Sequence, residues 1–343
     1  MAILLLIYSF REKMPMAAQK DAVFDPTRFL FETDEEKPVM GFLVTHHKTG
    51  TMMFQEMFQR LCPLFKLDFQ QVRGPTRWDR LADASNERYF RFANSTQRMV
   101  TVMQGFDEHC SVDPNSKCDR FDAGCWMRGC SLIKMGKNPD EFQPTVHVVR
   151  NPVEILISAY LYHNNSGQWM VENGHEAWLG EPKPDALTVL DSSISSKYKN
   201  MPFYKALQGL DDKDALKVEF NVLASGMYRA ARLYQSLQEK PYVLQMHFED
   251  FKADYAGSMQ KVFAHLKMDT MFGMEKLMEV ANLFDPKAVV SGVRSRLTDS
   301  HVTEGKYDKE PLRKAMFDDP TLNAVMLTLG TSQGYEKPFP YSK

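Results

Sequence analysis

Apolar positions along this chain fall into two kinds of block: short apolar or β-branched runs, and longer stretches with apolar residues at every third or fourth position. Met40 to Val44 is a short apolar run that predicts a buried strand. It is followed by Met53, Phe54, Met57, Phe58 and Leu61 at helical spacing through 52–61. The pairing recurs. Met99 to Met103 predicts another strand, and Thr145-Val146-His147-Val148-Val149 a third, with a helix after it through Ile155, Leu156, Ser158, Tyr160 and His163. Pro241 to Phe248 predicts a late strand that opens a strand–helix unit over 242–267. Ahead of it, 213–239 carries Leu216, Phe220, Leu223, Tyr228, Ala231 and Tyr234 in a long amphipathic helical pattern. Strands alternating with helices predict an α/β fold, with a central parallel sheet flanked by helices on both faces. Segment 164–200, rich in Gly, Asn, Ser and Pro, is expected to form loops over a ligand site, with Trp169 and Trp178 stacking on a ligand or packing in the core or a lid.

The junction between the first strand and its helix reads Val44-Thr45-His46-His47-Lys48-Thr49-Gly50-Thr51. A strand, a tight turn with glycine and a helix start form an anion grip, because backbone N–H groups and the positive end of the helix dipole converge there. Lys48 adds a cation beside that positive end, which is unfavourable unless an anion is bound. The order differs from the nucleoside-triphosphate motif G-x-x-x-x-G-K-[ST]: the lysine precedes the glycine and no first glycine is present.

The third strand leads into a second junction of the same design, Arg150-Asn151-Pro152-Val153-Glu154. Asn151 suits the N-cap, Pro152 the first helical position and Glu154 the third. Arg150 is again a cation at a helix start. Ser158 lies eight residues on, about two turns, so it can face the side on which Arg150 ends.

Lys48-Thr49-Gly50-Thr51 resembles the 5′-phosphosulfate loop of sulfotransferases that use 3′-phosphoadenylyl sulfate (PAPS). Arg150-Asn151-Pro152 with Ser158 resembles their 3′-phosphate segment, and Pro241 to Phe248 followed by Glu249-Asp250-Phe251-Lys252 resembles their late core strand. Ser300-His301-Val302-Thr303-Glu304-Gly305-Lys306-Tyr307 resembles the C-terminal loop that folds over the nucleotide, with Arg294 and Arg296 in reach of the same phosphate. The resemblance implies a three-layer P-loop-like fold, with 1–39 as a lead-in segment, 40–343 as the sulfotransferase domain and a Cys-rich insert at about 106–135. It implies donor contacts from His47, Lys48, Thr49, Gly50, Thr51, Arg150, Ser158, Arg294, Arg296, Gly305 and Lys306. The hydroxyls of Thr49 and Thr51 are expected to donate to the phosphosulfate oxygens. Lys48 would act on the leaving oxygen, and no metal is called for. By position after the second core strand His109 is the candidate general base, with Glu108, Asp107 and His47 as alternatives. The acceptor is a hydroxyl or amine on a carbohydrate, a small molecule or a tyrosyl peptide. A P-loop nucleotide kinase and a non-catalytic nucleotide-binding relative are the rival readings.

Composition narrows this only a little. Over 343 residues, 42 basic and 44 acidic side chains leave a net charge of −2, without the basic footprint of a nucleic-acid binder. Phosphate chemistry must therefore come from single cations. The apolar run Ala2 to Phe10 is far short of the ~20 residues that span a bilayer and has no basic flank before it. It reads as the remnant of a signal anchor or as a packing element, and no other segment is long and apolar enough to cross a membrane. Cys110, Cys118, Cys125 and Cys130, with gaps of seven, six and four residues, match no common zinc spacing. Read as two disulfides that leave Cys62 free, and with sequons at Asn94 and Asn164, they favour the secretory pathway or Golgi lumen over the cytoplasm; four free thiols are the alternative.

Overall fold

The computed structural model of the chain describes residues 40–46, 48–72, 99–104, 144–174, 177–285 and 307–339. Among these residues five strands form the sheet: β1 (Met40–Thr45), β2 (Asp68–Val72), β3 (Met99–Gln104), β4 (Thr145–Val149) and β5 (Val243–His247). All neighbours pair in parallel, in the order β2-β3-β1-β4-β5. Helix α1 (Thr51–Leu64) follows β1 and α2 (Pro152–Glu172) follows β4. Then come α3 (Ser192–Tyr198), α4 (Phe203–Gly209) and the long α5 (Asp212–Ser236). After β5 lie α6 (Phe248–Ala253), α7 (Tyr255–His265), α8 (Asp269–Phe272) and α9 (Met274–Ala281), and near the C-terminus α10 (Glu310–Asp318) and α11 (Pro320–Ser332).

The two faces of the sheet bury separate cores. On one, Leu43, Val146, Val148 and Met246 pack with α1 and α6 to α9 through Phe54, Phe58, Phe251, Phe263 and Leu277. On the other, α2, α4, α5, α10 and α11 pack through Leu156, Phe203, Leu216, Leu312 and Leu329. Side chains alternate along a strand, so Thr145 and His147 of β4 leave the sheet opposite Val146 and Val148. Both are fully buried. Between α2 and α5, His163 Nδ1 and Glu219 Oε1 meet at 2.8 Å in the second core.

The α/β class, the parallel sheet and its two helical layers are as expected, and two elements depart from the sequence reading. β2 (Asp-Phe-Gln-Gln-Val) is not expected: among the described residues it pairs with β3 alone, and it shows no apolar alternation. Segment 164–200 is largely helical rather than looped. α2 continues through Asn164, Asn165, Ser166 and Gly167 because Asn165 donates to Leu161 O at 2.9 Å, and the missing Cβ at Gly167 admits Tyr204, whose Cβ would lie 2.4 Å from one. Trp178 packs on His163 and Phe203, while Trp169 is exposed. The sequon at Asn164 lies inside this helix, with the asparagine half-buried. Cys62 is fully buried. The other four cysteines, Asn94 and Ala2 to Phe10 lie outside the described residues. Among the described residues no helix is long and apolar enough to cross a membrane.

Candidate active site

The chain runs from β1 to β2 and β3 on one side of the sheet, then to β4 and β5 on the other. Between β1 and β4 the winding reverses, and ligands of open parallel sheets bind in the crevice at the carboxyl ends of such a pair. Val44 is in register with His147, so both cation-bearing junctions emerge side by side.

The first junction is held from within. His46 O accepts hydrogen bonds from Thr49 N (3.2 Å), Thr49 Oγ1 (2.9 Å) and Thr51 Oγ1 (3.1 Å). His46 N–H donates to Thr49 Oγ1 at 2.7 Å, and the hydroxyls of Thr45 and Thr51 meet at 2.8 Å. This knot puts Lys48 and Gly50 in the left-handed region, at φ 63° and 83°. For a lysine that conformation costs about 1–2 kcal/mol, so surrounding contacts must impose it. Gly50 is required twice over: its φ favours glycine, and an added Cβ would stand 2.4 Å from Phe248 Cε2. Gly50 at the N-cap gives α1 no side-chain cap, and its first turn has no acidic residue, so the positive helix end is left for an exogenous anion.

The second junction folds as its sequence demands. Asn151 Oδ1 accepts from Val153 N at 2.9 Å, Pro152 starts α2, and Asn151 Nδ2 donates to Pro338 O at 2.8 Å. Arg150, only 6% exposed, donates from Nη1 to Lys48 O at 2.8 Å and so joins the two junctions. Its carboxylate neighbours, Glu154 and Glu249, each stand 3.9 Å away, and Phe248 covers it at 5.3 Å. Both carboxylates are engaged elsewhere. Glu154 takes Arg313 at 2.7 Å with Lys309 at 4.0 Å, and Glu249 takes the Tyr335 hydroxyl at 2.6 Å. Burial and that carboxylate push the Tyr335 phenol up, which keeps it protonated as a donor. Buried Arg150 Nε has no hydrogen-bond acceptor among the described residues. That orphaned N–H fits an additional anion. The Lys48 ammonium rests 3.2 Å from the ring centre of Tyr162 on α2.

Behind the loop runs a polar ladder across the sheet. His46 Nε2 lies 2.7 Å from His147 Nε2, His147 Nδ1 lies 3.2 Å from Gln245 Oε1 on β5, and Gln245 Nε2 donates to Tyr234 O at 2.7 Å. Burial, with the Gln245 hydrogen bond opposing it, lowers His147 to about 4. Burial first, then His147 and Arg229, holds His46 well below the ordinary histidine value.

The structure thus brings Lys48 and Arg150 to one crevice, and sets Ser158, 5% exposed, two turns into α2. In this structure the Thr49 and Thr51 hydroxyls tie the loop to His46 O, a buried carbonyl that needs donors. His47, Asp107, Glu108, His109, Arg294, Arg296, Gly305 and Lys306 lie outside the described residues. Missed in the sequence were Tyr162, Glu249, Tyr335 and the His46–His147 pair. For the pair, the only signal was a histidine within the otherwise aliphatic and Thr run of β4.

A family model described as a sulfotransferase domain matches residues 133–289, which takes in the Arg150 junction, α2, α5 and β5. The sulfotransferase resemblance is borne out over that segment. None of the curated proteins matches the chain. Among solved structures the chain is similar to mouse sulfotransferase SULT7A1 complexed with PAP, at 14% identity and TM-score 0.40, covering 91% of this chain and 90% of that one. It is also similar to a sulfotransferase from Alicyclobacillus acidocaldarius, at 13% identity and TM-score 0.36, covering 88% and 97% respectively. Identities this low carry no residue-by-residue correspondence.

Two outcomes follow from the loop. Gly50→Ala adds backbone strain and a collision with Phe248, and should destabilise the protein by about 2 kcal/mol in urea unfolding; an unchanged midpoint would show that the turn tolerates a Cβ. The second concerns pH. His147 is neutral when folded, at about 4, against 6.5 unfolded, so the unfolded chain binds the extra proton between those values. Its contribution is intact above pH 6.5 and falls away as pH drops toward about 4, by up to about 3 kcal/mol. A pH series of thermal melts checks this, and His147→Gln should flatten the slope.

Proposed function

We propose that the chain is a PAPS-dependent sulfotransferase that moves a sulfuryl group to a hydroxyl or amine acceptor, most simply on a carbohydrate or small molecule. The observation that carries this reading is the Arg150 Nη1 bond to Lys48 O at 2.8 Å, which unites two anion-ready helix starts at the switch point of the sheet. The two spaced phosphate groups of PAPS match two such corners, and the sulfotransferase domain match over 133–289 supports the same chemistry.

In this reading the N–H groups at the start of α1 and the Lys48 ammonium hold the 5′-phosphosulfate end. Arg150, with its orphaned Nε–H, holds the 3′-phosphate with Ser158 on the following turns. Bound there, PAPS supplies an activated sulfuryl group. Lys48 neutralises charge on the departing phosphate oxygen, and an uncapped helix end adds a fixed dipole that needs no reorganisation during reaction. Arg150 matches an anion with a planar fork of donors, and so selects for the phosphate that ordinary adenine nucleotides lack. The base that takes the acceptor proton is His109, with Glu108, Asp107 and His47 as the alternatives.

Lys48→Ala should keep its fold and lose at least ~100-fold in turnover, the scale of one preorganised charge donor. Transfer of radiolabelled sulfate from PAPS to a glycan and metabolite panel measures it, beside an ATP–Mg²⁺ arm that would reveal a kinase. Near-normal turnover in the folded variant would sink the assignment. Arg150→Ala loses both the fork and the prop under Lys48, so every nucleotide should bind less well. Adenosine 3′,5′-bisphosphate should lose about 1.5–3 kcal/mol more than a nucleotide without the 3′-phosphate. Equal losses in calorimetry would remove Arg150 from the 3′-phosphate site.

A further inference from the structure

We propose that His147, backed by Gln245, is a positioning residue that holds the Lys48 loop in its anion-binding shape through the ring of His46. The inference rests on the donor reading above and deepens it by naming what fixes the loop from behind.

The hydrogen-bond inventory sets every proton in the ladder. Tyr234 O can only accept, so the Gln245 amide must turn its Nε2 towards it and its Oε1 towards His147. That Oε1 is an acceptor, so His147 Nδ1 carries the hydrogen. A neutral His147 then has its lone pair on Nε2, and His46 must donate from Nε2 at 2.7 Å. Donation runs one way from His46 through His147 and Gln245 to Tyr234, and both rings are neutral. A proton added to His147 could go only on Nε2, and would set two N–H groups against each other where His147 is fully buried. From α5, Arg229 and Tyr234 face this pair; from β5, Gln245 does; and Thr45 and Thr51 adjoin it from the loop side.

The consequence for the loop follows from where His46 stands. Its ring is held by His147, while its main chain carries all three inward bonds from Thr49 and Thr51 and donates to Thr49 Oγ1. These bonds impose the left-handed turn at Lys48, which aims Lys48 O at Arg150. Neither histidine is exposed to a ligand, at 6% for His46 and 0% for His147. Their role is therefore to place Lys48 and the α1 amides, and not to touch donor or acceptor.

Nitrogen-15 imidazole shifts of the full chain at neutral pH should report opposite neutral tautomers, Nε2–H for His46 and Nδ1–H for His147. His147→Phe leaves His46 Nε2–H and Gln245 Oε1 without partners. It should weaken adenosine 3′,5′-bisphosphate by about ten-fold or more and speed amide exchange at Thr49. His147→Gln, whose side-chain carbonyl can accept from His46, should recover affinity to within about three-fold of wild type. A purely structural histidine would lower the melting temperature and leave the affinity of the folded protein alone. Wild-type affinity and wild-type Thr49 exchange in folded His147→Phe would overturn the proposal, as would His46 protonated on Nδ1. If His147→Phe does not fold, the tautomer shifts and the His147→Gln affinity decide. A wild-type protein that ignores adenosine 3′,5′-bisphosphate would overturn the donor reading, and Thr49 exchange would still judge the loop anchor without it.

Discussion

A guanidinium that is 6% exposed must be met by acceptors, and among the described residues the one close acceptor of Arg150 is the carbonyl of Lys48 at 2.8 Å. Much of the site follows from this bond. Lys48 can present its carbonyl there only in a left-handed conformation, which the hydroxyls of Thr49 and Thr51 enforce by closing on His46 O. The carboxylates that would ordinarily quench Arg150 are held at 3.9 Å by stronger claims on them, Arg313 for Glu154 and Tyr335 for Glu249. The C-terminal segment thereby becomes part of the site from behind, since Tyr335 and Pro338 O brace Glu249 and Asn151. Arg150 is left with an outstanding need for an anion, and that need is what the fold offers a ligand.

The sheet makes this bond possible. With β1 central and β4 beside it, the chain reverses its winding between these two strands, and their following loops cannot cover each other. The pairing of Val44 with His147 brings the two loops to the same level. The same register places His147 against the residue after β1, so the ladder behind the loop and the clamp in front of it are two results of one strand pairing.

Much of this was legible in the sequence. β1, β3, β4 and β5 stood out as short apolar or β-branched runs, and the α1 and α2 starts as a glycine turn and an Asn-Pro cap. β2 was not, because the sequence Asp-Phe-Gln-Gln-Val has neither a continuous apolar run nor an apolar alternation. The length of α2 was hidden by Asn164 to Gly167, residues poor in helix propensity that tertiary contact with Tyr204 overrides. Gly50 announced the turn; the left-handed Lys48 did not, since no local preference predicts it. The inward bonds of the threonine hydroxyls are not legible either, because a hydroxyl that can reach an anion can equally reach a carbonyl. His46 and His147 are separated by 101 positions, and a ring-to-ring hydrogen bond over that distance exists only once register is known.

Lys48 and Arg150 differ in a way that suits the proposed division of work. Arg150 is immobilised by a backbone carbonyl, two carboxylates and an aromatic face, and its planar fork changes little on binding. Such a cation is fit for a group that must be recognised but does not react, as the 3′-phosphate does not. Lys48 is a point charge on a flexible stem, and in this structure its ammonium lies on the face of Tyr162. A cation–π contact of this kind is worth roughly 0.5–2 kcal/mol, less than a charge-assisted bond to a developing oxyanion. The ammonium can therefore leave the ring as negative charge grows on the leaving oxygen and return once that charge has departed. Binding strength is thus invested in the fixed corner and charge stabilisation in the movable one, an arrangement that favours the transition state over the bound donor.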